Sequence, residues 1–286
     1  MLPRYLISLS IIIFILSGCS THNTPGKKSE NQFPIQTSET SQNKVKQLDQ
    51  IATEDQSLIS KASVTLEIDN GFFKITYDPS IRLAKLVSYK VKASDLRKET
   101  FKRKDAFRVD PYLKAKKLPF ATPAEYSNTG YDKGHLAPAG DFSWSAEASD
   151  KTFVMSNMAP QLPKLNRDSW KRLEEKERLW ACGEGELRIL TGPIVSPGYK
   201  TLPGGLPIPQ QFFKIIIDET PPKKVISFIF NQEDSGNVIE KRLADIKSIE
   251  KKVNVNFAKF ELPVKESRLP ASLNSWKESN CGEAKE

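Results

Sequence analysis

The chain has 286 residues, of which 38% are hydrophobic and 27% are charged, with 43 Lys or Arg against 35 Asp or Glu. This composition is that of an ordinary soluble protein, and it excludes wholesale disorder, a collagen-like chain and a polytopic membrane protein. A chain of this length can bury a large core, so it needs no dense framework of disulfides.

An apolar run near the amino terminus indicates export. The run covers residues 6–16 and is shorter than the roughly 20 residues that span a bilayer, so it is typical of a signal-peptide core. It ends in Leu16-Ser17-Gly18-Cys19, which resembles the lipobox of bacterial lipoproteins. This resemblance implies removal of residues 1–18 and a lipid on Cys19 that anchors the exported protein in the bacterial cell envelope. The serine after Cys19 favours the outer membrane, and an ordinary secretory signal with a chance cysteine is the alternative.

A polar segment follows the cysteine. Fourteen of the 25 residues at positions 20–44 are Ser, Thr, Asn or Gln, and Phe33 is the only aromatic residue there. Such a segment has too little apolar surface to offset the entropy that is lost on ordering. We therefore predict a lipidated cysteine and flexible tether over residues 19–60, and a globular domain over residues 61–286. A short helix at 45–60 is the alternative to further tether.

Two more cysteines, Cys182 and Cys281, lie in the globular part. In an exported protein they are a candidate disulfide, and in the chain-entropy model a loop of about 100 residues contributes roughly 4.7 kcal/mol to the free energy of unfolding. Two free thiols are the alternative. Because the chain has no CxxC pattern, the cysteines indicate neither a zinc ribbon nor a thioredoxin-like site.

The hydrophobic pattern predicts more strands than helices. Two alternating segments flank Asp69-Asn70-Gly71, a hairpin signal, and residues 166–181 have helical spacing without an internal Gly or Pro. Because the strands mostly follow one another directly, we predict an α+β fold with a central antiparallel sheet and flanking helices. The predicted strands are 62–68, 72–77, 83–92, 152–156, 186–191, 211–218 and 224–231, and a second helix is predicted at 238–250.

The positive charge is concentrated in one segment. Residues 82–117 contain thirteen Lys or Arg and four Asp or Glu, a net charge of +9, whereas the whole chain carries +8. A run of charge is usually a solvated face, but this concentration favours a polyanionic partner, either nucleic acid or anionic lipid. Aromatic side chains are interleaved with the charges, either for stacking or as core residues: Tyr89, Phe101, Phe107 and Tyr112.

His135 is the only histidine outside the predicted tether. The glycine and proline residues around it, at positions 130–139, predict a turn between regular elements, where functional side chains are often displayed. Gly134 permits a ligand to approach the backbone closely. A single histidine excludes a His-rich zinc site and a two-histidine mechanism, and it leaves room for one general base near neutral pH. A structural histidine is the alternative.

The segment around His135, YDKGHLAPAGD at 131–141, resembles the signature of the DNA/RNA non-specific endonucleases, whose usual motif is Asp-Arg-Gly-His. Residues 153–161, FVMSNMAPQ, resemble that family's strand and Asn-x-x-Pro-Gln turn. Asn166, followed by Trp170, Leu173 and Glu174, resembles the metal-binding helix of the family. The resemblance extends over roughly residues 60–260, and it implies a ββα-metal catalytic motif within the α+β fold.

The resemblance also implies roles for the matching residues. His135 would be the general base that activates the attacking water. Asn166 would be the ligand of a single Mg²⁺ ion, with Mn²⁺ as an alternative metal, and Glu174 would orient the water shell of that metal. Asn157 would be an active-site asparagine that supports the site.

Three basic residues would bind the phosphate. Arg178 and Arg103 match arginines that contact the phosphate or stabilise its developing charge. Lys133 stands where the family motif has arginine. A lysine keeps the positive charge but loses the planar, bidentate fork of the guanidinium.

The spacing of Asn166, Glu174 and Arg178 agrees with a shared site. At 100° per residue they fall at about 0°, 80° and 120° around a helix, on one side of it. A surface helix with a Glu–Arg ion pair, worth a few tenths of a kcal/mol, is the alternative. A neutral asparagine oxygen suits Mg²⁺, a hard ion that keeps most of its waters and stays strongly electrophilic when its ligand adds no charge.

These observations and the resemblance predict a Mg²⁺-dependent, sequence-non-specific endonuclease that hydrolyses phosphodiester bonds of DNA, RNA or both and leaves 5′-phosphate products. The expected partners are the nucleic acid and, through the lipid anchor, a membrane. One alternative is an envelope-anchored nucleic-acid receptor that does not cut. Another is a structural lipoprotein whose basic face rests on anionic lipid.

Overall fold

The computed structural model describes residues 65–98, 100–102, 104–260, 262 and 272–281. The predicted signal peptide, Cys19, the tether and Arg103 lie outside these residues. In that part of the chain, no helix is long and apolar enough to cross a membrane.

Within the described residues, eight strands make up two antiparallel sheets. Six of the strands form one large sheet in which neighbours along the chain also lie side by side, and the fourth and fifth strands pair separately. The strands are β1 (Leu66–Asp69), β2 (Phe73–Asp78), β3 (Leu83–Lys92), β4 (Asp132–His135), β5 (Met158–Gln161), β6 (Glu186–Ile194), β7 (Gln211–Asp218) and β8 (Lys224–Asn231). The order in the large sheet is β1-β2-β3-β6-β7-β8. The predicted α+β fold with a central antiparallel sheet is confirmed, and six of the seven predicted strands are present within a few residues of their predicted ends.

Five α-helices and several single turns lie around the sheets in the part of the chain that the structure describes. The helices are α1 (Ala93–Leu96), α2 (Pro111–Ala115), α3 (Ala146–Lys151), α4 (Trp170–Glu184) and α5 (Ile246–Val253). A π-helical turn, Leu165–Ser169, leads directly into α4. Single 3₁₀ turns lie at Pro123–Tyr126, Ala139–Phe142, Met155–Asn157, Ile239–Arg242, Phe257–Phe260 and Leu273–Ser275.

Both faces of the large sheet are covered. Along β7, Phe212 and Ile216 belong to one buried cluster together with Trp170 and Trp180 of α4. The alternate residues Phe213, Ile215 and Ile217 belong to a second buried cluster, which includes Ile246 and Ile249 of α5. Side chains alternate between the two faces of a strand, so a strand that is covered on both sides has a continuous apolar sequence. This explains the run FFKIII in β7.

Strands β4 and β5 and the helical segment after them form a ββα unit. His135 lies opposite Met158 and Asp132 lies opposite Gln161 in the antiparallel ladder. The chain then enters the π-helical turn and α4, so the helix predicted at 166–181 is confirmed and extends three residues further. It ends before Gly185, whose φ of 106° suits a glycine at the carboxyl end of a helix. The implied ββα motif is therefore present.

The strand predicted at 152–156 is wrong. Residues 155–157 form a 3₁₀ turn, and β5 begins only at Met158, where pairing with His135 starts. The side chain of Asn157 donates to the carbonyl of Thr152 and so bends this apolar segment back on itself. This short apolar run is buried because it packs in the core, and not because it belongs to a sheet.

The helix predicted at 238–250 is correct only in its second half. A 3₁₀ turn covers Ile239–Arg242, and α5 starts only at Ile246, eight residues after the predicted start. The Asp245 carboxylate accepts a hydrogen bond from the backbone N–H of Ser248 at 2.8 Å. Aspartate is a favoured N-cap because it satisfies an N–H that has no partner in the first helical turn, so it starts a new helix here.

A disulfide joins Cys182 and Cys281. Cys182 lies in the last turn of α4, whereas Cys281 closes the described carboxyl-terminal segment 272–281. The bond spans 99 residues and ties this segment to the helix that carries the predicted site residues.

We expect reduction of this disulfide to lower the free energy of unfolding by about 2–4 kcal/mol, because a long loop becomes free in the unfolded chain. Urea unfolding with and without dithiothreitol measures the effect. A Cys182→Ser/Cys281→Ser variant is the control, and dithiothreitol should not change its unfolding. Superimposable curves for the oxidised and reduced wild-type protein would contradict this expectation.

Candidate active site

A cavity of about 700 Å³ lies beside the ββα unit. Five of the residues predicted for the site line it, namely Lys133, His135, Asn166, Glu174 and Arg178. Arg167 and Lys171 also line it, so the basic side chains of the wall outnumber the three acidic ones. A polyanion would meet four basic side chains on this wall.

His135 ends β4, and its ring is largely buried between aromatic side chains. The ring centroid lies 4.9 Å from that of Phe153, edge to face, and 5.7 Å from that of Phe107. Such contacts restrict the rotation of the imidazole. Strand pairing thus fixes the backbone of His135, and the two phenylalanine rings fix its side chain against the cavity.

Gly134 is required by the packing of the two strands. A β-carbon at this position would lie 2.0 Å from Oε1 of Gln161, which is a buried side chain of β5. No side chain fits into so small a gap. The close approach that the sequence indicated is therefore made by Gln161 of the chain itself, and not by a ligand.

Asn166 is held by a carboxylate of β4, the first strand of the ββα unit. Its Nδ2 donates to Oδ2 of Asp132 at 2.9 Å. The same carboxylate forms a bidentate ion pair with Arg167. Nε of Arg167 donates to Oδ2 at 2.8 Å, and one terminal nitrogen donates to Oδ1 at 2.6 Å. Because the amide nitrogen of Asn166 is engaged in this way, its amide oxygen is the atom available to a cation.

The charge of Asp132 is stabilised by these contacts. Burial raises the pKa of its carboxyl group, but the hydrogen bonds from Arg167 and Asn166 outweigh burial and hold the pKa below its ordinary value. Asp132 is therefore ionised at neutral pH. Its contribution to stability is present above the unfolded-state pKa and is lost as the pH falls through the folded-state pKa.

Arg178 enters the cavity from α4 and is held by a second buried carboxylate. One terminal nitrogen donates to Oδ1 of Asp141 at 2.8 Å. Burial lowers the pKa of the guanidinium, yet Asp141 more than offsets this and raises the pKa above that of a free arginine. A β-carbon on Gly140 would lie 3.0 Å from the guanidinium, so the glycine leaves room for it. The Arg178 side chain is thus charged and fixed.

Lys133 lies next to His135 on the cavity wall. Its ammonium is 5.0 Å from the centre of the Phe107 ring and 5.7 Å from that of Tyr126. These cation–π contacts orient the lysine that stands in the arginine position of the family motif. The positive charge at this position is therefore retained.

Asn157 does not line the cavity. It is fully buried, and its amide exchanges two hydrogen bonds with the backbone of Ala137 and donates a third to the carbonyl of Thr152. These bonds hold the turn that follows His135. The structure therefore places Asn157 beneath the site, as a residue that positions the histidine, rather than among the groups that could touch a substrate.

The sequence reasoning assigned no role to Asp132 or Asp141. Both stand within the quoted signature, at positions 132 and 141, and each holds one functional residue from a distant part of the chain. Their presence in the motif was a signal, but their partners lie 34 and 37 residues further on and cannot be read from spacing.

The residues present fit a hydrated Mg²⁺ ion. Within the described ranges, no group of three or more His, Cys, Asp or Glu side chains could hold a metal ion. A site with one neutral amide oxygen and several waters is of a different kind, because Mg²⁺ keeps most of its hydration shell. Asn166 offers the oxygen, and Glu174 lines the same cavity with a carboxylate, a group that accepts hydrogen bonds from water.

Comparison with known proteins places these features in a family. A model of the DNA/RNA non-specific endonuclease family matches residues 56–264. Mitochondrial endonuclease G of Homo sapiens is 31% identical over 194 residues, which cover 63% of this chain and 65% of the human protein. A nuclease of Nostoc sp. is 37% identical over 145 residues, or 51% of this chain and 52% of the relative. The chain thus spans about half to two thirds of the length of these curated relatives.

A solved structure agrees with the fold. One chain in the crystal structure of the EndoG/EndoGI complex aligns with a TM-score of 0.61 at 23% sequence identity, covering 67% of this chain and 84% of that chain. At this identity the likeness is evidence for the fold alone. The match of the family model to most of the chain goes further: this chain belongs to the DNA/RNA non-specific endonuclease family.

Proposed function

We propose that the protein is a Mg²⁺-dependent, sequence-non-specific endonuclease that hydrolyses phosphodiester bonds in DNA, RNA or both. The observation that carries this proposal is that His135, Asn166, Glu174 and Arg178 line one cavity. Family membership supports the same reaction class. Mn²⁺ is the natural substitute for Mg²⁺, because both ions favour oxygen ligands.

His135 acts as the general base. Its imidazole takes a proton from a water molecule, and the water oxygen attacks phosphorus in line with the leaving 3′ oxygen. The bond from phosphorus to that oxygen breaks and the leaving 3′ oxygen takes a proton from solvent water, so the products carry a 5′-phosphate and a 3′-hydroxyl. Fixing the ring between Phe107 and Phe153 keeps the base in one orientation for this transfer.

The cations of the wall bind and stabilise the phosphate. Arg178 is held in place by Asp141, so its guanidinium donates to phosphate oxygens as negative charge develops on them. Lys133 supplies a second positive charge beside His135. Recognition through backbone phosphates requires few contacts with bases, and it predicts binding that weakens as salt concentration rises.

Asn166 would hold the metal through its amide oxygen, with Glu174 accepting hydrogen bonds from coordinated waters. When bound, the ion would act as a Lewis acid that stabilises the charge on the phosphate and on the leaving oxygen. Asp132 orients Asn166 for this task, as residues behind metal ligands commonly do.

The proposal includes the location of the enzyme. Residues 1–18 are a lipoprotein signal, Cys19 carries the lipid and residues 19–60 tether the endonuclease domain to the bacterial envelope, at the outer membrane. The sequence Leu16-Ser17-Gly18-Cys19 and the polar composition of the tether support this part of the proposal. Arg103, which lies outside the described residues, is proposed as a further phosphate contact.

Removal of the base should slow cleavage strongly and spare binding. In Mg²⁺, wild-type protein should cut a supercoiled plasmid, a long RNA or both substrates. In EDTA it should cut neither. His135→Ala should lower kcat about 10²- to 10⁴-fold, the range for loss of a general base. His135→Phe is the matched control for packing, because it restores a ring between Phe107 and Phe153, and it should be equally inactive.

Duplex binding in EDTA, measured by fluorescence anisotropy, should stay within about threefold of wild type for both variants, since the base contributes little to phosphate binding. Wild-type turnover in His135→Phe would eliminate the general-base role. A wild-type protein that binds nucleic acid and cuts neither substrate would instead be a receptor.

Asn166→Ala should raise the Mg²⁺ concentration for half-maximal cleavage by about tenfold or more, given that even residues behind a metal ligand alter affinity 10- to 100-fold. Calorimetric titration with Mn²⁺ in the absence of nucleic acid gives a second readout. Arg172→Gln, an exposed residue of α4 paired with Asp168 on the surface, is the control and should titrate like wild type. An unchanged metal titration for Asn166→Ala would remove this residue from the ligand shell.

A further inference from the structure

A charged cluster is buried in the core behind the cavity. Oε2 of Glu177 accepts a hydrogen bond from Nζ of Lys214 at 2.6 Å, and its Oε1 accepts one from the Tyr89 hydroxyl at 3.1 Å. The side chains of Glu177 and Lys214 are both completely inaccessible to solvent. The mechanism proposed above uses none of these three residues.

The pair links the helix of the site to the large sheet. Lys214 lies between Phe212 and Ile216 along β7, two residues from each, so all three share one face of the strand. This is the face of the sheet that α4 covers. Glu177 lies on the buried stripe of α4 among Trp170 and Trp180. It is the one acidic residue of that stripe within the described α4.

The position of Glu177 is related to that of the site residues by the geometry of the helix. At 100° per residue, Glu174 lies about 60° and Arg178 about 100° around the axis from Glu177. Both of those residues line the cavity, whereas Glu177 faces the sheet. Any rotation of α4 about its axis would therefore move Glu174 and Arg178 relative to His135.

We propose that Glu177, bound to Lys214 and Tyr89, is a positioning residue that fixes the rotation of α4 and thereby presents Glu174 and Arg178 to the cavity. This role rests on the proposed function of the cavity. It deepens that function by extending the site to a buried ion pair that touches neither substrate nor metal.

Apolar packing alone would specify the rotation less sharply. A stripe of large aromatic side chains can repack with small shifts, whereas a hydrogen-bonded ion pair inside the core is directional and tolerates only a narrow range of geometries. Buried polar groups that set the register of packed helices are the best-attested use of such pairs. A rotation of about 20° would displace a side-chain tip by roughly 2 Å at a helix radius of about 5–6 Å.

Burial of the charged cluster costs desolvation free energy. This cost argues that the cluster is retained for its geometry. Burial raises the pKa of Glu177 above that of an exposed glutamate, with Lys214 opposing this shift and Asp141 adding to it. The charged and titratable groups around it come from four elements: Glu174 and Arg178 of α4, Lys214 of β7, Tyr89 of β3, and Asp141 of the turn Ala139–Phe142. An apolar pair of the same volume would avoid this desolvation.

The test replaces the ion pair by neutral side chains of similar volume. Glu177→Gln alone leaves Lys214 as a buried charge without a counter-ion and is expected to destabilise the fold, so the decisive variant is Glu177→Gln/Lys214→Met. We expect its melting temperature to stay within about 4 °C of wild type. Its kcat should fall about 10- to 100-fold, since a misplacement of 1 Å can cost that much, while KM should change less than about threefold. Arg172→Gln is the control. It removes an exposed ion pair of the same helix and should retain wild-type kcat.

A crystal structure of the double variant gives a readout that does not depend on activity. We expect α4 to be rotated and the 2.8 Å contact between Arg178 and Asp141 to be lost. Wild-type kcat, or a lower kcat with Glu174 and Arg178 unmoved, would each overturn the proposal. If wild-type protein shows no cleavage at all, the proposed function fails, and the crystal structure alone then decides whether the pair sets the rotation of the helix.

Discussion

The hydrogen bond from Asn166 to Asp132 is the contact on which the site depends. It joins the first strand of the ββα unit to the turn that leads into α4, across 34 residues of chain. His135 stands three residues after Asp132 on the same strand. One carboxylate therefore fixes the candidate metal ligand relative to the candidate base, and its own charge is secured by Arg167. His135 and Asn166 both line the cavity beside the ββα unit.

Two carboxylates at the site are bound by side chains of the site itself. Asp132 is bound by Arg167 and Asn166, and Asp141 is bound by Arg178. An uncharged amide as the metal ligand adds no negative charge to this arrangement. The cavity thus combines cations that attract a polyanion with fixed acids that orient them, which suits the binding of a phosphodiester irrespective of its bases.

The sequence was most informative where a pattern is local. Alternation and apolar runs predicted the strands of the large sheet, and the spacing of Asn166, Glu174 and Arg178 predicted that they share one side of a helix. The run at 152–156 was misread because burial on all sides looks the same in a strand and in a core turn. Asp132, Asp141 and Lys214 could not be assigned partners, since a hydrogen bond between residues more than 30 positions apart leaves no periodicity in the sequence. Asn157 was predicted as a residue that supports the site, and its partners Ala137 and Thr152 could not be predicted from the sequence.

The central claim is that a metal held by Asn166 and the imidazole of His135 act on the same phosphodiester. Anomalous diffraction from crystals grown with Mn²⁺ tests it most directly, because the ion is located without reference to activity. The account predicts an anomalous peak within about 2.4 Å of Oδ1 of Asn166, inside the cavity that His135 lines. A peak elsewhere on the protein, with none at Asn166, would contradict it.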